Sequence, residues 1–356
     1  MKRLLLLLLA ASMLTGCAKS SNINDRSDAH GEPHFYGSNA RAYGDGLTYS
    51  AGGTSYCLDF GTMEKIPLCA RPNCSHTSGD CLAKTAGFGL IYDSYVYYFT
   101  EHHGMKERKD GKPYFEMDSK LMRASLDSSE TEVVSSFTDS IPRSEETLVI
   151  DDDVLYFIAY DPEPEIDDAG GVSYTNGQGS AYLCSVDLDT GGYTNYGGFC
   201  REKDYDGRKS SRAYITGIGN GKIFIDYSFM QRKGEDFSRI GFEFDVDTKE
   251  YTKSELPSAI YADNEVYVWL DDADDELHVV TNGKDNVISY VNYSNSGTVF
   301  NNKLFVAGNW IDLSDMTMHR LAANKSVVAY YNGSYITNEN NRFEKLTEEE
   351  LLALDN

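Results

Sequence analysis

The chain has 356 residues, and its 56 Asp and Glu against 32 Lys and Arg leave a net charge of −24 at neutral pH. A field this acidic repels polyanions, which excludes nucleic-acid binding and favours solubility, cationic ligands and divalent metals. The length suits two ordinary domains or one long repeat fold, so the pattern of elements has to decide.

Lys2 and Arg3 open the chain, leucines run unbroken from Leu4 to Leu9, and Leu14-Thr15-Gly16-Cys17 ends the stretch with small residues before a cysteine. That apolar run is far short of the roughly 20 residues a helix needs to cross a bilayer. The arrangement resembles the lipobox of bacterial lipoproteins. The resemblance implies that residues 1–16 are a cleaved signal peptide and that Cys17, the new N-terminus, carries lipid on the extracytoplasmic face of the cell membrane. Two acyl chains or more make such an anchor stable. Residues 17–38 are then the lipidated cysteine and a polar, aperiodic, flexible tether, and 39–356 form the body.

From Ala42 onward one unit recurs, in which an Asp, Asn or Gly turn stands between short runs of Tyr, Phe, Val and Ile. Its turns are Gly44-Asp45, Asp93-Ser94, Asp152-Asp153, Asn220-Gly221, Asp263-Asn264, Asn301-Asn302 and Asn332-Gly333. These residues adopt the positive φ that a two-residue hairpin demands, and the flanks have the side chains that pleated sheets favour. A second unit follows, clearest in Asp187-Leu188-Asp189-Thr190 and Asp245-Val246-Asp247-Thr248, looser near Asp59 and Ser125. Two hairpins per repeat of roughly 40 to 50 residues predict four-stranded blades. The fold class is therefore all-β: a single β-propeller of seven blades with up to four antiparallel strands each. Six or eight blades also suit the pattern, because the last repeat shows no second hairpin. Closure is expected by pairing the N-terminal and C-terminal strands within one blade. Thr347 to Leu354 reads as a terminal helix with Thr347 as its N-cap.

These turn-plus-aromatic units resemble the Tyr-rich propeller bodies of bacterial surface lipoproteins, which are distantly similar to the YWTD propellers of low-density lipoprotein receptors. No repeat spells YWTD; Tyr98-Phe99-Thr100-Glu101 and Val268-Trp269-Leu270-Asp271 are echoes. The resemblance implies a ligand-binding or scaffolding role and carries over no catalytic residue.

Cys69, Cys74, His76 and Cys81 lie within thirteen residues. Three thiols and an imidazole are enough for a closed tetrahedral zinc site, whose role would be to pin the long loop of the first blade. The alternative is a set of disulfides, which an extracytoplasmic address permits: Cys57-Cys69 and Cys184-Cys200 across hairpins, with Cys74-Cys81 completing the set. His102-His103 beside Glu101 reads as a solvated loop. The acidic runs at Asp151 to Asp153, Glu163 to Asp168 and Asp271 to Glu276 lack the spacing of a calcium loop and read as turns. Gly217 to Lys222 falls at a hairpin, where a phosphate loop cannot form. The tyrosines read mainly as strand and packing residues, with Tyr160, Tyr174, Tyr205 and Trp310 as loop-borne candidates for a ligand face.

With no Gly-x-Ser-x-Gly elbow and no His-Glu-x-x-His, the reading is a lipid-anchored, non-catalytic propeller that binds a protein, peptide or glycan ligand. Two rival classes are a propeller hydrolase or lyase acting on polysaccharide through carboxylates, and a scaffold or assembly factor for a surface complex. The expected partners are the membrane, through Cys17, and that ligand.

Overall fold

Each of the seven turns closes a hairpin at the start of a sheet. The computed structural model describes residues 34–36, 40–107, 113–126, 129–138, 140–142, 147–160, 165–166, 172–173, 181–198, 210–230, 237–271, 274–289, 297–306, 308–321 and 325–354. In chain order the hairpins pair Ala40–Tyr43 with Gly46–Ala51, Leu90–Tyr92 with Tyr95–Glu107, and Leu148–Asp151 with Val154–Tyr160. Ser210–Gly219 then pairs with Lys222–Met230, Ala259–Ala262 with Val266–Asp271, Gly297–Phe300 with Lys303–Val306, and Ser326–Tyr331 with Ser334–Glu339. Asp93, Ser94, Asp152, Asp153, Asn220, Asn301, Asn302 and Asn332 all hold positive φ, as these tight turns require. The fifth turn differs: the Asp263 carboxylate accepts from the Glu265 and Val266 amides at 2.8 Å each.

The second repeated unit caps the turn between third and fourth strands. Asp187 Oδ1 accepts from the amides of Asp189 (3.1 Å) and Thr190 (2.7 Å), and Asp245 does the same to Asp247 and Thr248 at equal distances. These carboxylates satisfy backbone donors left open by the turn, so they are not free ligands. Among the described residues three sheets have four strands, the third has six, the fourth and fifth together have eight and the last has three, ending on Arg342–Leu346; Glu165–Ile166 and Val172–Ser173 form a separate pair. Helix α1 spans Leu82–Thr85 and was not foreseen. Helix α2 spans Glu348–Ala353, and Thr347 and Glu350 form a reciprocal capping box at its start. Among the described residues no helix is long and apolar enough to cross a membrane.

Side chains alternate along each strand, and both faces of a sheet find an apolar neighbour. Leu82 packs with Ile91 and Val96 between the first and second sheets, and Leu121 and Phe137 pack with Leu148 and Phe157 between the second and third. Tyr156 and Leu183 meet Ile223 and Phe244 between the third and fourth, and Val268 and Leu277 meet Leu304 and Ile311 between the fifth and sixth. Trp310 meets Tyr335 and Leu351 at the sixth and seventh, and Leu47, Tyr49 and Phe60 meet Ala329 and Ile336 between the first and last sheets.

The seam between the fourth and fifth sheets is built differently. Their first strands touch through a parallel bridge from Gly217 to Ala262, which fuses them into one eight-stranded sheet. Beside it, buried Asp226 receives two guanidinium N–H groups of Arg239, with Nη2 at 2.9 Å, and the hydroxyl of Ser258.

Among the described residues the expected closure by a shared strand does not occur. His34–Tyr36, from the stretch read as tether, pairs antiparallel with Leu148–Asp151 of the third sheet instead. At the other end the chain turns from Arg342–Leu346 into α2. Among the described residues the first and last sheets meet by side-chain packing, with no strand shared between them.

Candidate metal centre

The connection from the first sheet to the second runs over residues 68–89 and is tied at both ends. The Leu68 amide donates to Ser55 O (2.9 Å), the Ala70 amide to Leu126 O (2.9 Å), and Thr48 Oγ1 to Gly89 O (2.7 Å). Within it, Asn73 and His76 adopt left-handed conformations, with φ of 60° and 55°. Two such reversals three residues apart coil the chain tightly enough for His76 to face the same centre as Cys74.

The result is one cluster: the three Sγ atoms of Cys69, Cys74 and Cys81 and a ring nitrogen of His76 lie within 4.8 Å of one another. Cys74 Sγ and Cys81 Sγ are 3.6 Å apart, and Cys81 Sγ is 3.6 Å from His76 Nδ1. A tetrahedron with zinc–sulfur bonds of about 2.3 Å and a zinc–nitrogen bond of about 2.0 Å has edges of roughly 3.8 Å and 3.5 Å. Those two separations are close to these edges, the whole set spans up to 4.8 Å, and the group could hold a metal ion. Cys69 and Cys81 are buried, while Cys74 and His76 are half-buried.

The protein prepares the thiols unequally. Burial pushes the Cys69 thiol up to about 11. The His76 amide, 3.4 Å from Cys74 Sγ, lowers the Cys74 thiol below its ordinary value. A cation bound at the centre would stabilise all three thiolates at once. Outside the cluster, Arg71 and Asp80 bridge the loop at 3.1 Å, an exposed pair of little energetic weight.

The other cysteines stand apart from this group. Cys57 is buried opposite Ile66, so that hairpin does not set it against Cys69, and Cys184 is buried opposite Asn195. No disulfide joins the described cysteines. Cys17 and Cys200 lie outside the described residues.

Most remaining candidates prove structural. Tyr160 is buried on a strand, and its hydroxyl accepts from the Ala213 amide at 2.9 Å. Trp310 is also buried on a strand and stacks on His319 at 4.0 Å between ring centres. Asp153 accepts the Tyr92 hydroxyl at 2.6 Å, tying the second sheet to the third. Gly217 to Lys222 is the fourth hairpin. His102 is exposed on a strand of the second sheet. Tyr174, Tyr205, the His103 side chain and most of the Glu163 to Asp168 run lie outside the described residues. Sequence reasoning missed the Asp226–Arg239–Ser258 group, since its members become neighbours only through strand register.

No family model matches this sequence, and no curated protein matches it. By structure the chain is similar to the β-propeller domain of the Trilobed protease from Pyrococcus furiosus, at a TM-score of 0.43 and 10% identity over 89% of this chain and 91% of that one. It is also similar to prolyl oligopeptidase B from Galerina marginata (TM-score 0.42, 11% identity, 95% of this chain and 54% of that one). A third is a Mycobacterium tuberculosis puromycin-hydrolyzing peptidase (TM-score 0.39, 10% identity, 88% and 50%). The chain thus spans about half the length of these last two. These neighbours correct one expectation. They are peptidases or the propeller domain of a protease, and the expectation of a non-catalytic binder is not retained.

Proposed function

We propose that Cys69, Cys74, His76 and Cys81 form a structural zinc centre that clasps the first two blades of a seven-bladed propeller. The observation that carries this reading is the convergence of four soft or borderline ligand atoms within 4.8 Å. Three thiolates and an imidazole are the donor set zinc prefers, and with four protein ligands no coordination position is left for substrate or water. The centre would therefore contribute to folding and not to chemistry. It sits against Leu68, Leu82, Ile91 and Val96, at the edge of the apolar cluster under the connection. One ion bound by Cys69 and Cys81 would tie the start of the connection to the turn before α1.

The same reading takes the ring as one propeller, with the first and last blades in contact, and places it outside the cytoplasm on a lipid carried by Cys17. A thiolate zinc centre is compatible with that address where oxidation is slow or the metal arrives first.

The test is metal analysis of the purified full chain. One zinc per chain is expected, lost in Cys81→Ser and His76→Ala and kept in Cys57→Ser. Metal-free protein with Cys74 joined to Cys81 would overturn the zinc reading. The anchor is checked separately by labelling with palmitate, which Cys17→Ser should abolish.

A further inference from the structure

The third sheet carries a strand that its own repeat does not supply. His34–Tyr36 lies antiparallel to its first strand, pairing His34 with Ile150, Phe35 with Val149 and Tyr36 with Leu148. This edge is well suited to recognising a main chain. Leu148 and Ile150 are buried in the core shared with the second sheet, and Val149 in the core shared with the fourth. Their side chains are thus committed elsewhere, and what the edge offers a newcomer is a row of backbone N–H and C=O groups. Such groups must find partners when water is displaced, and an extended segment of nearly any sequence provides them.

The described part of the occupant is short. Among the described residues three pair, against seven between Val154–Tyr160 and Ala181–Asp187 of the same sheet. The segment belongs to no repeat, and the sheet is complete without it, with four strands of its own in order.

We propose that the Leu148–Asp151 edge is a docking slot for an extended peptide, and that the chain's own His34–Tyr36 segment fills it as an internal surrogate. A longer peptide, able to pair along the whole strand, displaces the segment and adds as an antiparallel strand. Recognition is through the main chain, so the slot tolerates varied sequences and selects for extended conformation.

The experiment uses the full chain and a fluorescent peptide with the sequence of Gly31 to Asn39. Antiparallel ladders alternate, so the N–H groups facing the sheet belong either to Phe35 or to His34 and Tyr36. Phe35→Pro and the double variant His34→Pro/Tyr36→Pro between them remove both sets. In one of the two, the amides within Leu148–Ile150 that face the segment should exchange with deuterium at least tenfold faster than in wild type. The peptide should bind that variant at least tenfold more tightly than wild type, by fluorescence anisotropy, and restore slow exchange. Unchanged exchange in both variants, equal peptide binding to wild type, or no binding to any form would overturn the proposal. Wild type is decisive even if both variants misfold: if the Leu148 to Ile150 amides that face the segment exchange as fast as the Arg342–Leu346 amides that point away from Ser334–Glu339, the filled slot is refuted.

Discussion

Replacing Gly217 by alanine tests whether the fourth and fifth sheets are held by direct backbone contact. A methyl group at 217 would fall well inside contact distance of the Ala262 carbonyl oxygen, 2.7 Å from its carbon and 3.1 Å from its nitrogen. All three are backbone atoms in a strand and cannot swing aside. Relief requires the two first strands to part, which breaks the Gly217–Ala262 bridge and disturbs the Asp226, Arg239 and Ser258 group beside it. Overpacking of this kind costs about 1–3 kcal/mol, and a lost backbone hydrogen bond about 1 kcal/mol more. A body of roughly 300 residues unfolds with an entropy near 0.6 kcal/mol per degree, so about 3 kcal/mol lowers the melting temperature by about 5 °C. Gly333→Ala is the comparison: its φ of 79° strains an alanine, but nothing lies within 4 Å of the added methyl. That strain alone is about 1–2 kcal/mol, or about 2–3 °C. Scanning calorimetry on the three proteins reads both shifts. A Gly217→Ala protein that melts within 1 °C of wild type, or above Gly333→Ala, would refute the close-contact seam.

At the same seam, Asp226→Ala strands the Arg239 guanidinium, whose side chain is 15% exposed; breaking such a pair costs about 3–5 kcal/mol. Adding Arg239→Met should recover most of the lost melting temperature, and a double variant no better than the single one would show that the pair is dispensable. Acid should weaken the repeated turns. The Thr190 amide holds the Asp187 carboxyl below its ordinary value, and the Thr248 amide does the same for Asp245. A carboxyl that titrates lower when folded adds stability that is complete above its unfolded value, about 4, and is lost as pH falls through its folded value. The melting temperature should therefore fall between about pH 5 and pH 3, and the fall should be shallower in Asp187→Asn/Asp245→Asn; an unaltered slope would count against these turns. Chelation at neutral pH should lower the melting temperature of wild type and leave Cys81→Ser unmoved, read in the same calorimeter.

The hairpins were legible because their determinants are local. Asn301-Asn302 and Asp152-Asp153 tolerate positive φ whatever surrounds them, and Thr347 with Glu350 caps a helix from within one turn of chain. The Cys3His cluster was legible for a related reason, since thirteen residues with two left-handed turns have few ways to keep Cys69, Cys74, His76 and Cys81 apart. Register was not legible. Symmetry about Gly61 to Met63 sets Cys57 against Cys69 on paper, but the turn closes between Asp59 and Glu64, with the Thr62 amide bound to the Asp59 carboxylate. Cys57 then opposes Ile66, and Cys69 is released to the cluster.

By itself the sequence determined an all-β chain of repeated hairpins, the positions of their turns and the grouping of three cysteines with a histidine as a candidate site, because each depends on interactions within a few residues. Only the tertiary structure decided which edge the N-terminal strand takes, how the last sheet meets the first, and that the fourth and fifth sheets join through Gly217 and Ala262. Those outcomes depend on shape and spare hydrogen-bonding capacity between segments far apart in the chain, and such contacts leave no local pattern to read.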